Sequence, residues 1–509
     1  MTEELKLLLG QCLAVGFDGP VIPEEYEKLV KEYKIGNTLL FKRNVKSYEQ
    51  LRDLCQSLTR LILDETGHVP FIMSDEECGG VSRIGHIAAP TPCAMATGAT
   101  GDPENAYMLG KITGEELRAC GINMAIGPVL DCYSNPDNSV IGNRSYGKDP
   151  QTVTEFGLAY KRGLEEAGVF PCAKHFPGHG DTAVDSHLAV PVVEKSEEAF
   201  RETELVSFKA AIDAGIEAIM TAHIVLPAVD PERVPSTVSK KIMTSLLREE
   251  LGFEGLLLTD GMEMNAVMNL YGIEDACRRA LNAGCDICLV CHSAQQAAST
   301  MEYLGKAIEN GTLDRAVIEE RAARVLYWKE KIKPPKGTRA DFGNEAQRAV
   351  GRQIMNDAIQ VLHAPEGKPL PKLGKDTLVL GLPARAASLA NDEVAADAAA
   401  FFAGKLGCDY VPVRFEEGKA PELTVPDSVL EGKKNVLVFL SRLEDALPLV
   451  VEQAKALTDK GLPVIAVSLS TARLLDALPD TVWKVAGWQY NQLSIDALWG
   501  FFHLSARDE

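Results

Sequence analysis

The sequence has little positive charge and no long apolar run. With 52 lysine and arginine residues against 72 aspartate and glutamate residues, the 509-residue chain carries a formal net charge of -20. This charge argues against nucleic acid or an anionic membrane as the main partner. No segment is apolar over enough residues to insert into a membrane, and residues 1–19 lack the basic and apolar regions of a secretory signal. We therefore expect a cytoplasmic protein that binds a small neutral or mixed-charge substrate.

The cysteine pattern does not indicate a disulfide framework. The chain has 12 cysteines, and Cys172, Cys277, Cys285 and Cys288 lie within apolar runs. This placement favours reduced thiols. The segment CDICLVC at 285–291 has a spacing found in iron-sulfur motifs, but it lacks the fourth cysteine and the trailing proline. We interpret it as a core strand and expect no cofactor.

Short apolar runs alternate with helix-like stretches from about residue 10 to about residue 310. This alternation is typical of strands joined by crossover helices. The apolar runs lie at residues 12–17, 35–41, 69–73, 122–130, 169–176, 218–224, 255–260 and 285–290. Eight such units predict an α/β fold that begins with a (β/α)8 TIM-type barrel. A doubly wound open sheet remains the alternative.

The chain changes character after residue 330. The segment at 332–347 is rich in proline and charge, and later strand-like runs alternate with helical stretches. We predict a catalytic barrel over residues 1–335, a linker with a connecting helix over 336–365, and a smaller C-terminal α/β sandwich domain over 366–509. We expect a mainly structural role for this second domain.

The segment CAKHFPGHGDTAVDSH at 172–187 concentrates groups that can transfer protons. It holds His175, His179, His187, Asp181 and Asp185 in a loop-like stretch. Because an aspartate can fix the tautomer of a nearby histidine, Asp185 and His187 are the first candidates for general acid/base catalysis. The same residues could instead bind a metal. However, their H-x3-H-x7-H spacing matches no metal motif with a known geometry, and HEXXH is absent.

Polar side chains also follow the predicted strands, where the active site of a barrel forms. They are Arg43, Asp75, Asp131, Lys174, His175, His223, Asp260 and His292. Asp260 follows a buried run and can act as a nucleophile or as an ion-pair partner, or it can cap the next helix. Lys174 and His175 can bind a ligand, or Lys174 can form an internal ion pair with Asp131 or Asp260.

Several of these segments resemble the motifs of family 3 glycoside hydrolases, in particular the bacterial β-N-acetylglucosaminidase branch. SDEECGGVSRIGH at 74–86 is similar to the family's DQEGG segment, and KHFPGHGDTAVDSH to its histidine loop. NRSYG at 143–147, MTAHI at 220–224 and LLLTDGMEM at 256–264 resemble three further motifs. The resemblance covers most of residues 10–330, and AGWQYNQLSIDAL near the C-terminus resembles the second domain of longer members.

The resemblance implies a role for each matching residue. Asp260 is the expected nucleophile, and His187, oriented by Asp185, is the expected general acid/base. The sugar-binding residues implied in the same way are Asp75, Arg144, Lys174 and His175. The implied activity is retaining removal of terminal β-linked N-acetylglucosamine, with cell-wall muropeptides as the expected substrates.

Two departures from the family motifs stand out. Cys78 and Gly80 replace a glycine and a basic residue, and Gly261 replaces an acid beside Asp260. Three other functions remain open. A phosphorylase on the same fold would use phosphate in place of water, a metal-dependent hydrolase would use the histidine cluster, and a sugar-binding protein would have no catalysis.

Overall fold

The computed structural model describes residues 1–138, 140–182, 190–381, 397–414, 421–441 and 447–504. These residues form two β-sheets, each flanked by helices. Within these ranges, no helix combines the length and the apolar character needed to cross a membrane. All 12 cysteines have free thiols, as the sequence predicts.

The first sheet closes on itself as a barrel. Its eight parallel strands pair in sequence order, and β1 also pairs with the last strand. The strands are β1 Leu13–Val15, β2 Asn37–Leu40, β3 Ile72–Cys78, β5 Met124–Ile126, β6 Phe170–Phe176, β7 Ala218–Thr221, β8 Leu256–Gly261 and β9 Ile287–Val290. A short strand, β4 (Val81–Ser82), folds back antiparallel on β3. Each predicted apolar run contains or overlaps one barrel strand, so the (β/α)8 prediction is confirmed and the open sheet is wrong.

A helix follows each barrel strand on the outside of the sheet. The helical segments of this half are α1 Glu3–Gln11, α2 Glu24–Tyr33, α3 Tyr48–Thr66, α4 Ala94–Ala99, α5 Pro103–Cys120, α6 Pro150–Ala167, α7 Glu197–Asp213, a π-helical segment Lys241–Glu250, α8 Asn265–Ala283, α9 Ala294–Glu309 and α10 Arg315–Lys329. Asp102 and Asp149 cap α5 and α6 by accepting a backbone N–H in the first turn, and a proline follows each cap. Gly121 and Gly168 end these helices in the left-handed conformation.

The second sheet has six strands in the order β10-β15-β14-β13-β11-β12, and only β10 runs antiparallel to its neighbour. The strands are β10 Gln360–His363, β11 Thr377–Gly381, β12 Asp409–Pro412, β13 Asn435–Leu440, β14 Val464–Ser468 and β15 Trp483–Ala486. The helices are α11 Glu345–Ala358, α12 Ala398–Leu406, α13 Asp427–Leu430, α14 Leu447–Asp459 and α15 Gln492–Leu504. α11 and β10 both lie in the predicted linker region 336–365, and the domain boundaries themselves remain predictions.

The second half packs against the loop that follows β5. The Asn143 side-chain amide donates to the Trp488 carbonyl at 2.9 Å, and Arg473 forms a 2.7 Å ion pair with Asp137. Nearby, the Trp488 indole N–H donates to the Ala358 carbonyl at 2.6 Å. These contacts fix the part of the β5 loop that carries Arg144.

Candidate active site

A cavity of about 560 Å³ opens at the carboxyl ends of the barrel strands. Apolar side chains from four strands form its floor: Leu39, Ile126, Met220 and Leu289. Its walls are mostly polar, and they include Arg43, Asp75, Glu77, Arg83, Arg144, Lys174, His175, His179, Asp260, Glu263 and His292. The cavity is therefore a blind pocket whose reactive groups lie above an apolar base.

Asp75 lies on β3 and receives two cations. Its Oδ1 is 2.6 Å from Lys174 Nζ, and its Oδ2 is 2.8 Å from an Arg83 guanidinium nitrogen. Burial alone would raise the pKa of Asp75, but Lys174 and Arg83 outweigh it and hold this pKa well below its usual range. The Asp75 carboxylate is therefore ionised near neutral pH.

Glu77, two residues further along β3, is buried between two other cations. It forms a two-pronged pair with Arg144 at 2.6 and 2.7 Å, and its Oε1 is 2.5 Å from Lys174 Nζ. Burial opposes the charge on Glu77, yet Arg144 and Lys174 lower its pKa to about 2. Lys174 thus forms its internal ion pairs with Asp75 and Glu77, rather than with Asp131 or Asp260.

His175 connects Arg144 to Asp131. Its Nδ1 is 2.6 Å from Asp131 Oδ2, and its Nε2 is 3.2 Å from an Arg144 guanidinium nitrogen. Because arginine only donates hydrogen bonds, Nε2 accepts and the proton resides on Nδ1. Asp131 is fully buried and also accepts the backbone N–H of His179 at 2.7 Å. Both ring nitrogens of His175 are thus engaged within the protein, and its contact with sugar stays a prediction.

His179, which belongs to the 172–187 segment, lines the cavity. Its Nδ1 is 2.7 Å from the Thr182 hydroxyl. Burial, together with the nearby His175, lowers the pKa of His179 to about 4, so its ring is neutral near pH 7. Asp181 lies 3.6 Å from Lys195. The predicted acid/base pair, Asp185 and His187, lies outside the described residues.

Asp260 lies near the end of β8 and lines the cavity. Its Oδ1 accepts the N–H of the next residue, Gly261, at 2.7 Å. Burial would raise the pKa of Asp260, but the nearby His223 and His175 and the Gly261 N–H lower it overall. The N-cap of α8 is Met264, so the alternative that Asp260 caps this helix is wrong. The structure thus presents an ionised carboxylate at the wall of the pocket.

Comparison with known proteins identifies the family. The model of the glycosyl hydrolase family 3 N-terminal domain matches residues 4–327, which is more than half of the chain. The chain belongs to glycosyl hydrolase family 3. The family predicted from the motifs is therefore confirmed, and all of these motifs lie within the matched residues: 74–86, 143–147, 172–187, 220–224 and 256–264.

Individual relatives agree with this family 3 assignment. The chain is 34% identical to β-hexosaminidase A of Pseudoalteromonas piscicida over 382 residues. This aligned region covers 70% of this chain and 63% of the relative's length. It is 33% identical over 293 residues to a β-hexosaminidase of Thiobacillus denitrificans, covering 56% of this chain and 79% of the relative. Among solved structures, a family 3 β-N-acetylglucosaminidase from Paenibacillus superposes with a TM-score of 0.86 at 31% identity, covering 98% of this chain and 96% of that one.

The family 3 motifs depart from the usual pattern at positions that the structure locates. Cys78, which stands where the motif has glycine, has φ +72°, in the left-handed region that favours glycine. Gly261, which replaces an acid, lines the cavity beside Asp260. Within the described ranges, no group of three or more His, Cys, Asp or Glu side chains is arranged to hold a metal ion.

Three cavity residues of this family 3 chain were missed by sequence reasoning. Glu77 and Arg83 belong to the ion-pair network, and Glu263 lies three residues after Asp260. The three consecutive acids at 75–77 were a usable signal, because a buried strand rarely carries so many acids without buried cations beside them. Glu263 gave no such signal, since an acid at the start of a helix is common.

Proposed function

We propose that this chain is a retaining, exo-acting β-N-acetylglucosaminidase that hydrolyses terminal β-linked N-acetylglucosamine. The observation that carries the proposal is Asp260, a carboxylate held ionised at the cavity wall without a lysine or arginine bonded to it among the described residues. A carboxylate in this state can attack an anomeric carbon. The names of the relatives, β-hexosaminidase and β-N-acetylglucosaminidase, support the choice of sugar.

The proposed reaction has two steps. Asp260 attacks C1 while the bond from C1 to the leaving oxygen breaks, and protonated His187 gives its proton to that oxygen. Neutral His187 then takes a proton from water, the water oxygen bonds to C1, and the Asp260 carboxylate leaves. Two inversions at C1 retain the configuration.

The number of residues between the cavity and His187 is compatible with this reaction. The described chain enters the segment at Thr182, which is bonded to the cavity-lining His179. His187 is five positions after Thr182, and five residue steps can span at most about 17 Å, so His187 has the reach to approach the cavity. Asp185, two residues before it, is proposed to orient the imidazole.

Sugar binding is assigned to Asp75, Arg144, Lys174 and His175. Asp75 and Lys174 face the cavity with charges that their neighbours fix, so they can bind hydroxyl groups without moving. The apolar floor closes the pocket below them, which supports the removal of a single terminal sugar.

We further propose muropeptide fragments of peptidoglycan as the substrates and the cytoplasm as the location. The free thiols of all 12 cysteines support a reducing compartment.

Kinetics with a chromogenic aryl β-N-acetylglucosaminide test the proposal. Asp260→Ala is expected to reduce turnover by at least about 1,000-fold. Asp213→Ala removes an exposed carboxylate at the end of α7 and serves as the matched control. NMR of the first-formed product is expected to show the β-anomer. Unchanged turnover of Asp260→Ala, or an α-product, would overturn the proposal.

The open alternatives give different products or dependences. A phosphorylase releases the sugar 1-phosphate when phosphate is added, whereas the proposed hydrolase releases free sugar with or without phosphate. A metal-dependent hydrolase loses activity on dialysis against a chelator. A sugar-binding protein binds N-acetylglucosamine without turnover.

A further inference from the structure

Glu263 presents a carboxylate oxygen that no described residue uses. Its Oε1 accepts the backbone N–H of Cys291 at 2.5 Å and that of His292 at 2.9 Å, which fixes the side chain in one orientation. Its Oε2 is buried and has no hydrogen-bond partner among the residues that the structure describes. Because an unsatisfied buried carboxylate oxygen is costly, such an atom in a cavity wall indicates a missing donor.

The free oxygen lies beside the residue that follows the nucleophile. A Cβ built on Gly261 would be 3.9 Å from Glu263 Oε2 and 3.5 Å from Cys291 Sγ, and both are ordinary contact distances. The space at Gly261 is therefore open to a small group. Gly261, Glu263 and Asp260 all line the same cavity, so a ligand atom that fills this space shares the pocket with the carbon that Asp260 attacks.

The chemistry of that carbon limits what the donor can be. The neighbours of C1 in a glycoside are the ring oxygen, the glycosidic oxygen and C2. Neither oxygen carries a hydrogen, so the only donor next to C1 is the substituent on C2. In an N-acetylglucosaminide this donor is the acetamido N–H, and in a glucoside it is a hydroxyl.

We propose that Glu263 Oε2 accepts a hydrogen bond from the C2 substituent of the bound sugar, and that Glu263 is therefore a specificity-determining residue. This inference rests on the proposed glycosidase function of the site. The two backbone N–H groups hold the carboxylate in place before substrate binds, so little ordering is needed on binding. Gly261 provides the space for the substituent, which an acidic side chain at that position would occupy.

The test compares three aryl β-glycosides that differ only at C2, with an acetamido group, a hydroxyl or hydrogen. Glu263→Gln keeps the acceptor for the two backbone N–H groups but places an NH₂ where Oε2 lies, so that a donor faces the acetamido N–H, which is itself only a donor. For the 2-acetamido substrate, kcat/KM is expected to fall about 10- to 100-fold, as for loss of a hydrogen bond to a charged group. For the 2-hydroxy substrate the loss is expected to be smaller, because a hydroxyl can turn and accept from the NH₂. For the 2-deoxy substrate, kcat/KM is expected to change less than threefold.

Glu254→Gln, an exposed substitution before the start of β8, is the matched control and is expected to leave all three substrates unaffected. Equal losses on the three substrates would indicate general damage to the site and would overturn the inference, as would no loss on any of them. If Glu263→Gln does not fold, as judged by thermal unfolding, Glu263→Asp, which withdraws the oxygen, is measured with the same substrates. If the wild-type protein turns over none of the three substrates, the proposed function itself is refuted. The inference about Glu263 is judged only by how the ratio of kcat/KM between variant and wild type differs from one substrate to the next.

Discussion

Glutamine at position 77 is expected to disable the site more severely than its small change in shape suggests. In the wild type, the Glu77 carboxylate contacts Arg144 through both oxygens and Lys174 through one. Glutamine retains one oxygen, but its NH₂ group must then face one of the two cations. That cation becomes a buried charge without its partner.

The magnitude follows from the burial of the pair. The Glu77 side chain is 1% exposed and that of Lys174 is 3% exposed, so solvent cannot replace the lost contact. Breaking one side of a buried ion pair costs about 3 to 5 kcal/mol. If Arg144 moves as a result and about 3 kcal/mol of transition-state binding is lost, kcat/KM for an aryl N-acetylglucosaminide falls about 100-fold.

Glu166→Gln provides the matched control. Glu166 also pairs with a lysine, Lys111, at 2.6 Å, but its side chain is 50% exposed. Such exposed pairs contribute about 0 to 1 kcal/mol, so activity and the thermal midpoint are expected to stay close to those of the wild type. Both variants are assayed for kcat/KM and for thermal unfolding. A Glu77→Gln protein whose kcat/KM lies within threefold of the wild type would refute the reasoning.

Three further changes test other parts of the structure. Burial raises the pKa of Glu76 to about 7, so the folded protein loses stability as the pH rises from the usual value of about 4.5 towards 7 and the buried carboxyl has to ionise. Glu76→Gln is therefore expected to stabilise the protein by about 3 kcal/mol at pH 8 and by much less at pH 4.5. Equal shifts of the thermal midpoint at both pH values would contradict this. Asn143→Ala removes the 2.9 Å hydrogen bond to the Trp488 carbonyl, one residue before Arg144, and is expected to raise KM about threefold to tenfold with little change in kcat. Its control, Arg473→Ala, removes an exposed ion pair with Asp137 and is expected to leave KM and kcat within twofold of the wild type. His187→Ala is expected to slow aryl substrates with poor leaving groups far more than those with good ones, because only the former need a proton at the leaving oxygen; a uniform loss would argue against the acid role.

The barrel could be predicted because its signal is local. Each strand lies in or overlaps a short apolar run, and the run is visible in the sequence without knowledge of its neighbours because most residues of these strands are buried on both faces. The two edge strands of the second sheet, β10 and β12, differ from the barrel strands, because their residues are partly or fully exposed. An edge strand with an exposed face does not need an apolar run, so it leaves little trace in the sequence.

The candidate site could be predicted only in part. The position of Asp260 at a strand end follows from local sequence, but the pairing of Lys174 with Asp75 and Glu77 joins residues about 100 positions apart. Which carboxylate meets which cation depends on the register of three strands, and no sequence pattern specifies it. The role of Asp131, which holds His175 and the backbone of His179, depends on the same register.

The contrast between the carboxylates of the site supports different tasks for them. Asp75 and Glu77 are neutralised by cations bonded directly to their oxygens, which makes them poor nucleophiles and good fixed acceptors or positioning groups. Among the described residues, Asp260 has only the Gly261 N–H bonded to it, while nearby histidines lower its pKa without covering the carboxylate. Its charge is thus maintained, and among the described residues its second oxygen has no hydrogen bond or ion pair. A nucleophile needs both properties, since a protonated carboxyl cannot attack and a carboxylate tied up in ion pairs would first have to break them.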